Sequence, residues 1–144
     1  MLIGEYRHTI DDKKRLSVPS VFRTELKQKI VITRGLDNCL FVYPLPVWKQ
    51  VAEKLSQLSM GTADSRSFNR FMLSGAVEVE LDSMGRILIP DFLKSFANLK
   101  VKVVIAGVYD RLEIWDEKRW LENTTRVEKM ADSLAQKLGE VGAI

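Results

Sequence analysis

A ten-residue stretch that occurs twice decides how this chain folds. The two copies are Ile10-Asp11-Asp12-Lys13-Lys14-Arg15-Leu16-Ser17-Val18-Pro19 and Leu81-Asp82-Ser83-Met84-Gly85-Arg86-Ile87-Leu88-Ile89-Pro90. Both contain an apolar residue, an aspartate, three variable residues, an arginine, alternating apolar residues and a proline at the same spacing. After one inserted residue the match continues through Gly35 and Gly107 to Trp48 and Trp120. Such self-similarity predicts two copies of one structural unit.

Both copies predict the same order of secondary structure. A short strand precedes each Asp-x-x-x-Arg segment and an alternating strand follows it. Pro19 and Pro90 end these strands, because proline has no N–H to donate to a ladder. A short helix comes next, followed by two strands around a glycine turn and a closing helix.

The spacing of the copies predicts the domain organisation. We expect a first unit at 1–58, a helical linker at 59–75, and a second unit with a C-terminal helix at 76–144. Each unit alone has too few strands to bury two sheet faces and would leave exposed edges. The expected fold is α+β: one compact domain, a small pseudo-two-fold barrel or sandwich whose units pair their strands, with helices outside.

The Asp-x-x-x-Arg loop is the motif best suited to binding. Its three turn residues let Asp11 meet and orient Arg15, and let Asp82 orient Arg86, by a two-pronged contact between carboxylate and guanidinium. An arginine fixed in this way keeps donors free for phosphate oxygens or for the O6/N7 edge of guanine. A salt bridge that only pins a hairpin gives the same pattern, and a mainly structural role for Arg86 stays open.

Positive charge is concentrated around the first motif. The first 72 residues carry 12 Lys and Arg against 7 Asp and Glu, whereas the last 72 carry 10 against 12. A one-sided basic field attracts polyanions such as DNA, although an unevenly charged surface alone proves no partner. We expect Arg15 to contact base edges and Lys13 and Lys14 to hold phosphates. Arg7 is expected either to add a phosphate contact or to be a plain strand-surface residue.

Composition excludes several other classes of protein. The chain has 144 residues, of which 46% are hydrophobic and 28% charged, as in an ordinary globular domain. No apolar run approaches the roughly 20 residues of a membrane span, and the N-terminus lacks a signal-peptide core. One cysteine, Cys39, and one histidine, His8, provide neither a zinc cluster nor a catalytic pair. We therefore expect a cytoplasmic protein, not an enzyme, with no metal, cofactor or small-molecule substrate.

The sequence resembles the MraZ family. The resemblance rests on the doubled motif and on three further segments in the same order and spacing, and it covers essentially the whole chain. The segments are Leu40-Phe41-Val42-Tyr43-Pro44-Leu45-Pro46 with Trp48, Arg70-Phe71-Met72-Leu73-Ser74-Gly75-Ala76, and Glu113-Ile114-Trp115-Asp116 with Trp120.

The resemblance implies both a fold and a function. The fold would be two AbrB-like units of the swapped-hairpin type in one barrel, assembled into a ring of about eight subunits. The function would be transcriptional regulation in the bacterial cytoplasm and nucleoid, through double-stranded DNA. The sites would be short direct repeats upstream of the division and cell-wall gene cluster, including the protein's own gene. The family's motif maps onto Asp11 and Arg15 and onto Asp82 and Arg86, with the first arginine contacting DNA.

One position departs from the family pattern, and one alternative function stays open. The family usually has glycine before the motif arginine; Gly85 conforms, whereas position 14 is Lys14. If that position needs a positive φ, lysine is strained there. The alternative is an AbrB-like antitoxin or a scaffold for a protein partner without specific DNA binding.

Overall fold

The computed structural model describes residues 1–144 as eight strands and five helices. The strands are β1 (Leu2–Thr9), β2 (Arg15–Ser17), β3 (Lys29–Arg34), β4 (Leu40–Pro44), β5 (Val77–Glu80), β6 (Arg86–Leu88), β7 (Lys102–Tyr109) and β8 (Leu112–Asp116). The helices are α1 (Ser20–Leu26), α2 (Leu45–Ser56), α3 (Ala63–Leu73), α4 (Asp91–Phe96) and α5 (Glu117–Glu140). The order strand, loop, strand, helix, two strands, helix occurs twice, as the repeat predicts.

The strands exchange between the two halves of the chain. Six of them form one antiparallel sheet in the order β1-β7-β8-β4-β3-β5. The first strand of each half pairs with the other half: β1 lies against β7, and β5 against β3. The pseudo-two-fold α+β fold follows from this exchange, because neither half completes its own sheet.

The remaining two strands form a separate ribbon. β2 and β6 pair antiparallel, with Leu16 opposite Ile87 at the centre. Where a small barrel or sandwich was expected, the strands form an open six-stranded sheet plus this ribbon, and no barrel closes. The ladder does not close because β2 and β6 are three residues long and pair with each other. A single bridge between Ile10 and Leu16 joins the ribbon to the strand before it.

Two apolar cores lie on opposite faces of the large sheet. The larger core, of 19 buried residues, joins the sheet to the ribbon and to α1 and α4 through side chains such as Phe22 and Leu93. The smaller core lies under α2, α3 and the start of α5 and contains Trp48 and Trp115. Trp48 and Trp115 therefore serve in packing. The ribbon therefore has one buried face and one face turned to solvent.

The ends of two helices are well defined. At the start of α3 the side chain of Thr62 caps the N-terminus by accepting a hydrogen bond from the Ser65 N–H at 3.3 Å. Asp64 lies in the first turn, where its charge suits the helix dipole. The C-terminal helix α5 begins at Glu117, directly after β8, and buries none of its residues.

Candidate nucleic-acid interface

The first motif loop is organised around one carboxylate. Asp11 Oδ1 accepts hydrogen bonds from the backbone N–H groups of Lys13 and Arg15, both at 2.9 Å. Its other oxygen, Oδ2, accepts from Arg15 Nε at 2.8 Å. The expected two-pronged contact is therefore replaced by a contact through Nε alone. Both terminal guanidinium nitrogens of Arg15 remain without a protein partner, which leaves them available to a ligand.

The second motif loop repeats this geometry. Asp82 Oδ1 accepts from the N–H groups of Met84 and Arg86 at 2.9 Å, and Oδ2 accepts from Arg86 Nε at 2.8 Å. In both loops a backbone bond of 3.0 Å closes the turn, from Lys14 N–H to Asp11 O and from Gly85 N–H to Asp82 O. Two sequences that differ in every loop residue thus hold their arginines alike.

Hydrogen bonding keeps both aspartates ionised. The backbone N–H of Arg15, first among the causes, holds the pKa of Asp11 below its ordinary value, and the N–H of Arg86 does the same for the pKa of Asp82. Desolvation opposes this lowering, while the guanidinium contacts add to it. An aspartate is ionised at neutral pH in any case, and the lowered pKa extends the charge of both carboxylates, and so their attraction for the arginines, to more acid pH.

Lys14 adopts the backbone conformation that glycine has in the second loop. Its φ is 62°, against 76° at Gly85. This left-handed region is unfavourable for a residue with a side chain, so the strain expected from the sequence is present. The ammonium group of Lys14 pairs with Asp91, the first residue of α4, which belongs to the other half of the chain.

The ribbon brings the two motif arginines onto one exposed surface. Arg15 pairs with Leu88 and Ser17 pairs with Arg86, while Leu16 and Ile87 point into the core. Cross-strand partners share a face, so these four outward side chains form one patch, which we call the ribbon face. The ribbon face consists of Arg15, Ser17, Arg86 and Leu88.

The other predicted residues divide between this surface and a distant one. Lys13 is exposed beside Arg15 and forms no ion pair. Arg7 lies on the opposite side of the large sheet, near Glu5 at 3.8 Å and Glu117 at 3.9 Å. Its neighbour Tyr6 points the other way and meets Phe22 in the larger core. The structure therefore does not bring Arg7 together with the motif loops.

Sequence reasoning missed a group of basic residues that one half supplies to the loop of the other. The guanidinium of Arg23, on α1, packs against Gly85 and donates from Nε to the Val18 carbonyl at 2.9 Å. Arg23 and Lys27 line a cleft of about 460 Å³ that also includes Asp82 and Gly85.

The first loop has the corresponding arrangement. A cleft of about 380 Å³ is lined by Lys94 and Lys100 together with Asp11, Asp12 and Lys14. The signal for these residues was present in the sequence, because Arg23 and Lys94 occupy equivalent places in the repeat. The second loop carries no lysine of its own but gains positive charge from the first half.

Comparison with known proteins agrees with this doubled architecture. The family model of the MraZ proteins, described as antitoxin-like, matches the chain twice. The matched ranges are residues 1–71 and 72–138. The chain belongs to the MraZ family. The two MraZ matches together cover nearly the whole chain, and each contains one motif loop.

Named relatives of the MraZ family match over their full length. "Transcriptional regulator MraZ" of Moorella thermoacetica is 51% identical over 138 residues, which is 96% of each chain. The proteins of the same name from Caldicellulosiruptor saccharolyticus and Pediococcus pentosaceus are 47% and 46% identical over 142 residues, or 99% of each chain. The MraZ resemblance drawn from the motifs is thus confirmed.

Three further features describe the rest of this MraZ chain. None of its five helices combines the length and the apolar composition that a membrane crossing needs. No group of three or more His, Cys, Asp or Glu side chains is arranged to hold a metal ion. Cys39 is buried, and that burial raises the pKa of its thiol.

Proposed function

We propose that this chain is a transcriptional regulator that binds double-stranded DNA through the ribbon face. The observation that carries the proposal is the matched pair of motif arginines. Arg15 and Arg86 are each oriented by a charged aspartate, and they lie on one two-stranded ribbon with a solvent-exposed outer face. A two-stranded ribbon fits the major groove, where an arginine can bond bidentately to guanine. The names of the MraZ relatives support the same function.

Each residue of the proposed interface has a role set by its chemistry. Arg15 and Arg86 contact base edges with their free terminal nitrogens, while Asp11 and Asp82 keep them oriented. Lys13 and Lys14 hold phosphates beside the first loop, with Lys14 leaving Asp91 to do so. Arg23 and Lys27 supply the corresponding charge beside the second loop. We leave Arg7 out of the interface because it lies on the other side of the sheet, among carboxylates.

The proposal extends to assembly and to the DNA site. One ribbon face carries few positive charges, so a single copy would bind weakly at cellular salt. A cytoplasmic, nucleoid-associated ring of about eight copies would contact short direct repeats multivalently. We place these repeats upstream of the chain's own gene, in the division and cell-wall cluster. The division into units at 1–58 and 76–144 with a linker at 59–75 is part of the same proposal.

Fluorescence anisotropy tests this function directly. The probe is a duplex from the region upstream of the chain's own coding sequence, compared with random duplex of equal length over a salt series. Wild type should prefer the upstream duplex. Arg15→Ala should abolish that preference, and Arg15→Lys should keep the binding to random DNA but lose most of the preference. Lys13→Ala should weaken both duplexes equally and reduce the salt slope by about one.

Two substitutions that each remove one positive charge far from the ribbon face serve as controls for Arg15→Ala and Lys13→Ala. Arg70→Ala on α3 and Lys54→Ala on α2 remove the same charges from helices on the other side of the large sheet. Both should bind the upstream duplex as wild type does. Equal binding of upstream and random DNA by wild type, or equal losses from Arg15→Ala and Arg70→Ala, would contradict the proposal.

A protein-binding role is the second candidate. The family description mentions an antitoxin-like character, and α5 leaves Val127, Met130 and Leu138 exposed on a long helix. A scaffold of this kind would bind a partner protein through α5 without needing the motif arginines. Unchanged partner binding by Arg15→Ala, together with absence of selective DNA binding, would favour this candidate.

A further inference from the structure

Leu88 is the one apolar residue among the four that form the ribbon face. Its side chain is 56% exposed on the ribbon face, directly opposite Arg15. Its neighbours along the strand, Ile87 and Ile89, are buried and supply the packing of β6. More than half of Leu88 is therefore open to solvent, and it belongs to neither apolar core.

The repeat makes this position asymmetric. The residue equivalent to Leu88 in the first half is Ser17, which lies opposite Arg86. The ribbon face thus consists of two dissimilar halves. One half pairs an arginine with a leucine, and the other pairs an arginine with a serine. A surface that contacted only phosphates would have no use for this difference, because phosphates carry no sequence information.

The chemistry of the major groove offers one apolar group to such a leucine. Among the base edges exposed there, the C5-methyl group of thymine is the apolar contact, whereas guanine offers the O6 and N7 acceptors to arginine. Cross-strand side chains on one face have Cβ atoms about 5 Å apart. Successive base pairs are about 3.4 Å apart. A guanine held by Arg15 therefore leaves Leu88 within reach of a neighbouring base pair.

We propose that Leu88 is a specificity residue that contacts the methyl group of a thymine adjacent to the guanine bound by Arg15. The half formed by Arg86 and Ser17 has no apolar side chain and makes no such demand. The two halves of the ribbon face therefore prefer different base steps. This inference rests on the proposed DNA-binding function and adds to it a definite base preference.

Replacement of thymine by deoxyuridine tests the contact, because it removes only the methyl group. Each thymine of the upstream duplex is replaced in turn, and the affinity of wild type is measured by anisotropy. We expect one replacement per bound site to weaken binding about fourfold, the factor for losing one buried methyl group. Leu88→Ser, which copies the first half, should bind the thymine and deoxyuridine duplexes equally. Leu88→Thr, which keeps a methyl group, should restore part of the difference.

A matched control and the wild-type preference for the upstream duplex separate the possible outcomes. Leu121→Ser removes an exposed leucine from α5, away from the ribbon face, and should keep the full response to deoxyuridine. If wild type prefers the upstream duplex but responds to no deoxyuridine, the Leu88 contact is refuted while the proposed function stands. The same holds if Leu88→Ser keeps the wild-type response. If wild type shows no preference for the upstream duplex, both proposals fail together.

Discussion

At the scale of single residues, the motif works because one carboxylate performs two tasks. In each loop one oxygen of Asp11 or Asp82 binds two backbone N–H groups and fixes the turn. The other oxygen binds the arginine Nε and fixes the side chain. The loop and its arginine are therefore ordered before any ligand arrives, which lowers the entropy lost on binding.

Asp11→Asn separates these two tasks. The amide oxygen can still accept the backbone hydrogen bonds, but the charge that orients Arg15 is lost. Because the pair is partly exposed, we expect the affinity for the upstream duplex to fall only about two- to fivefold. Anisotropy titrations measure this change. A loss on random DNA as large as that on the upstream duplex would contradict an orienting role.

The lowered pKa of Asp11 gives a pH prediction with a definite sign. A carboxyl whose folded pKa lies below its unfolded value of 3.8 stabilises the fold fully above that value. The contribution is lost as the pH falls through the lowered pKa. The Asp11 carboxyl carbon resonance should therefore be constant from about pH 8 to about pH 5 and titrate with a midpoint below the ordinary aspartate value of 3.8. A midpoint at or above 3.8 would show that the loop does not hold the carboxylate.

The two left-handed loop positions predict opposite effects of substitution. Lys14→Gly relieves a positive φ and loses only an exposed ion pair, so stability should rise by about 1 kcal/mol. Gly85→Ala adds a Cβ at φ 76° that would collide with the Arg23 guanidinium, so stability should fall by at least about 1 kcal/mol. Urea unfolding monitored by tryptophan fluorescence compares the two variants with wild type. Destabilisation by both would mean that Lys14 is not strained.

At the scale of elements, the short ribbon is the part of the fold that the alternation of apolar and polar residues predicted best. Leu16, Ile87 and the prolines that follow them were enough to place β2, β6 and the helices after them. The choice between a barrel and a sandwich stayed open in the sequence, because barrel closure depends on strand lengths and pairings that no local pattern contains. The same reason explains why local sequence could not predict two contacts, the ion pair of Lys14 with Asp91 and the packing of Arg23 on Gly85. Each joins residues far apart in sequence that only the strand exchange brings together.

Most of helix α5 should be dispensable for the stability of the fold. It buries no residue, and its contact with the body is made near its start, where Trp120 meets Trp115 at 5.6 Å between ring centroids. A chain ending at residue 125 should therefore unfold cooperatively, with a free energy of unfolding within about 1 kcal/mol of the full chain. Calorimetry and near-ultraviolet circular dichroism measure this. Loss of cooperative unfolding would show that the rest of α5 supports the fold.

At the scale of the whole molecule, the two halves form one inseparable unit. β1 depends on β7 for its pairing and β5 depends on β3, so each half contributes a strand to the sheet of the other. This exchange also places basic residues of the first half beside the motif loop of the second. The repeat in the sequence predicted the number of units. The repeat did not show that basic residues of one unit would lie beside the motif loop of the other unit.

Separation of the halves tests this dependence. A fragment of residues 1–71 lacks all four strands from β5 to β8, so it should be unfolded as a monomer. At higher concentration two fragments can exchange strands and reproduce the pseudo-two-fold fold as a dimer. Circular dichroism and sedimentation over a dilution series should show folding and dimerisation together. A folded monomer at all concentrations would contradict the exchange.

Site-directed crosslinking tests the central claim, that the ribbon face contacts DNA. Cys39 is fully buried with a raised thiol pKa, so a cysteine placed on the surface is the reactive one. Ser17→Cys lies on the ribbon face between the motif arginines, and Ser133→Cys on α5 is the matched control. The probe is an upstream duplex whose bases carry a thiol tether. We predict that the Ser17→Cys protein forms a disulfide with this probe. Unlabelled upstream duplex should suppress that disulfide better than unlabelled random duplex does. Equal crosslinking from both positions, or crosslinking from Ser133→Cys alone, would place the DNA elsewhere and contradict the account.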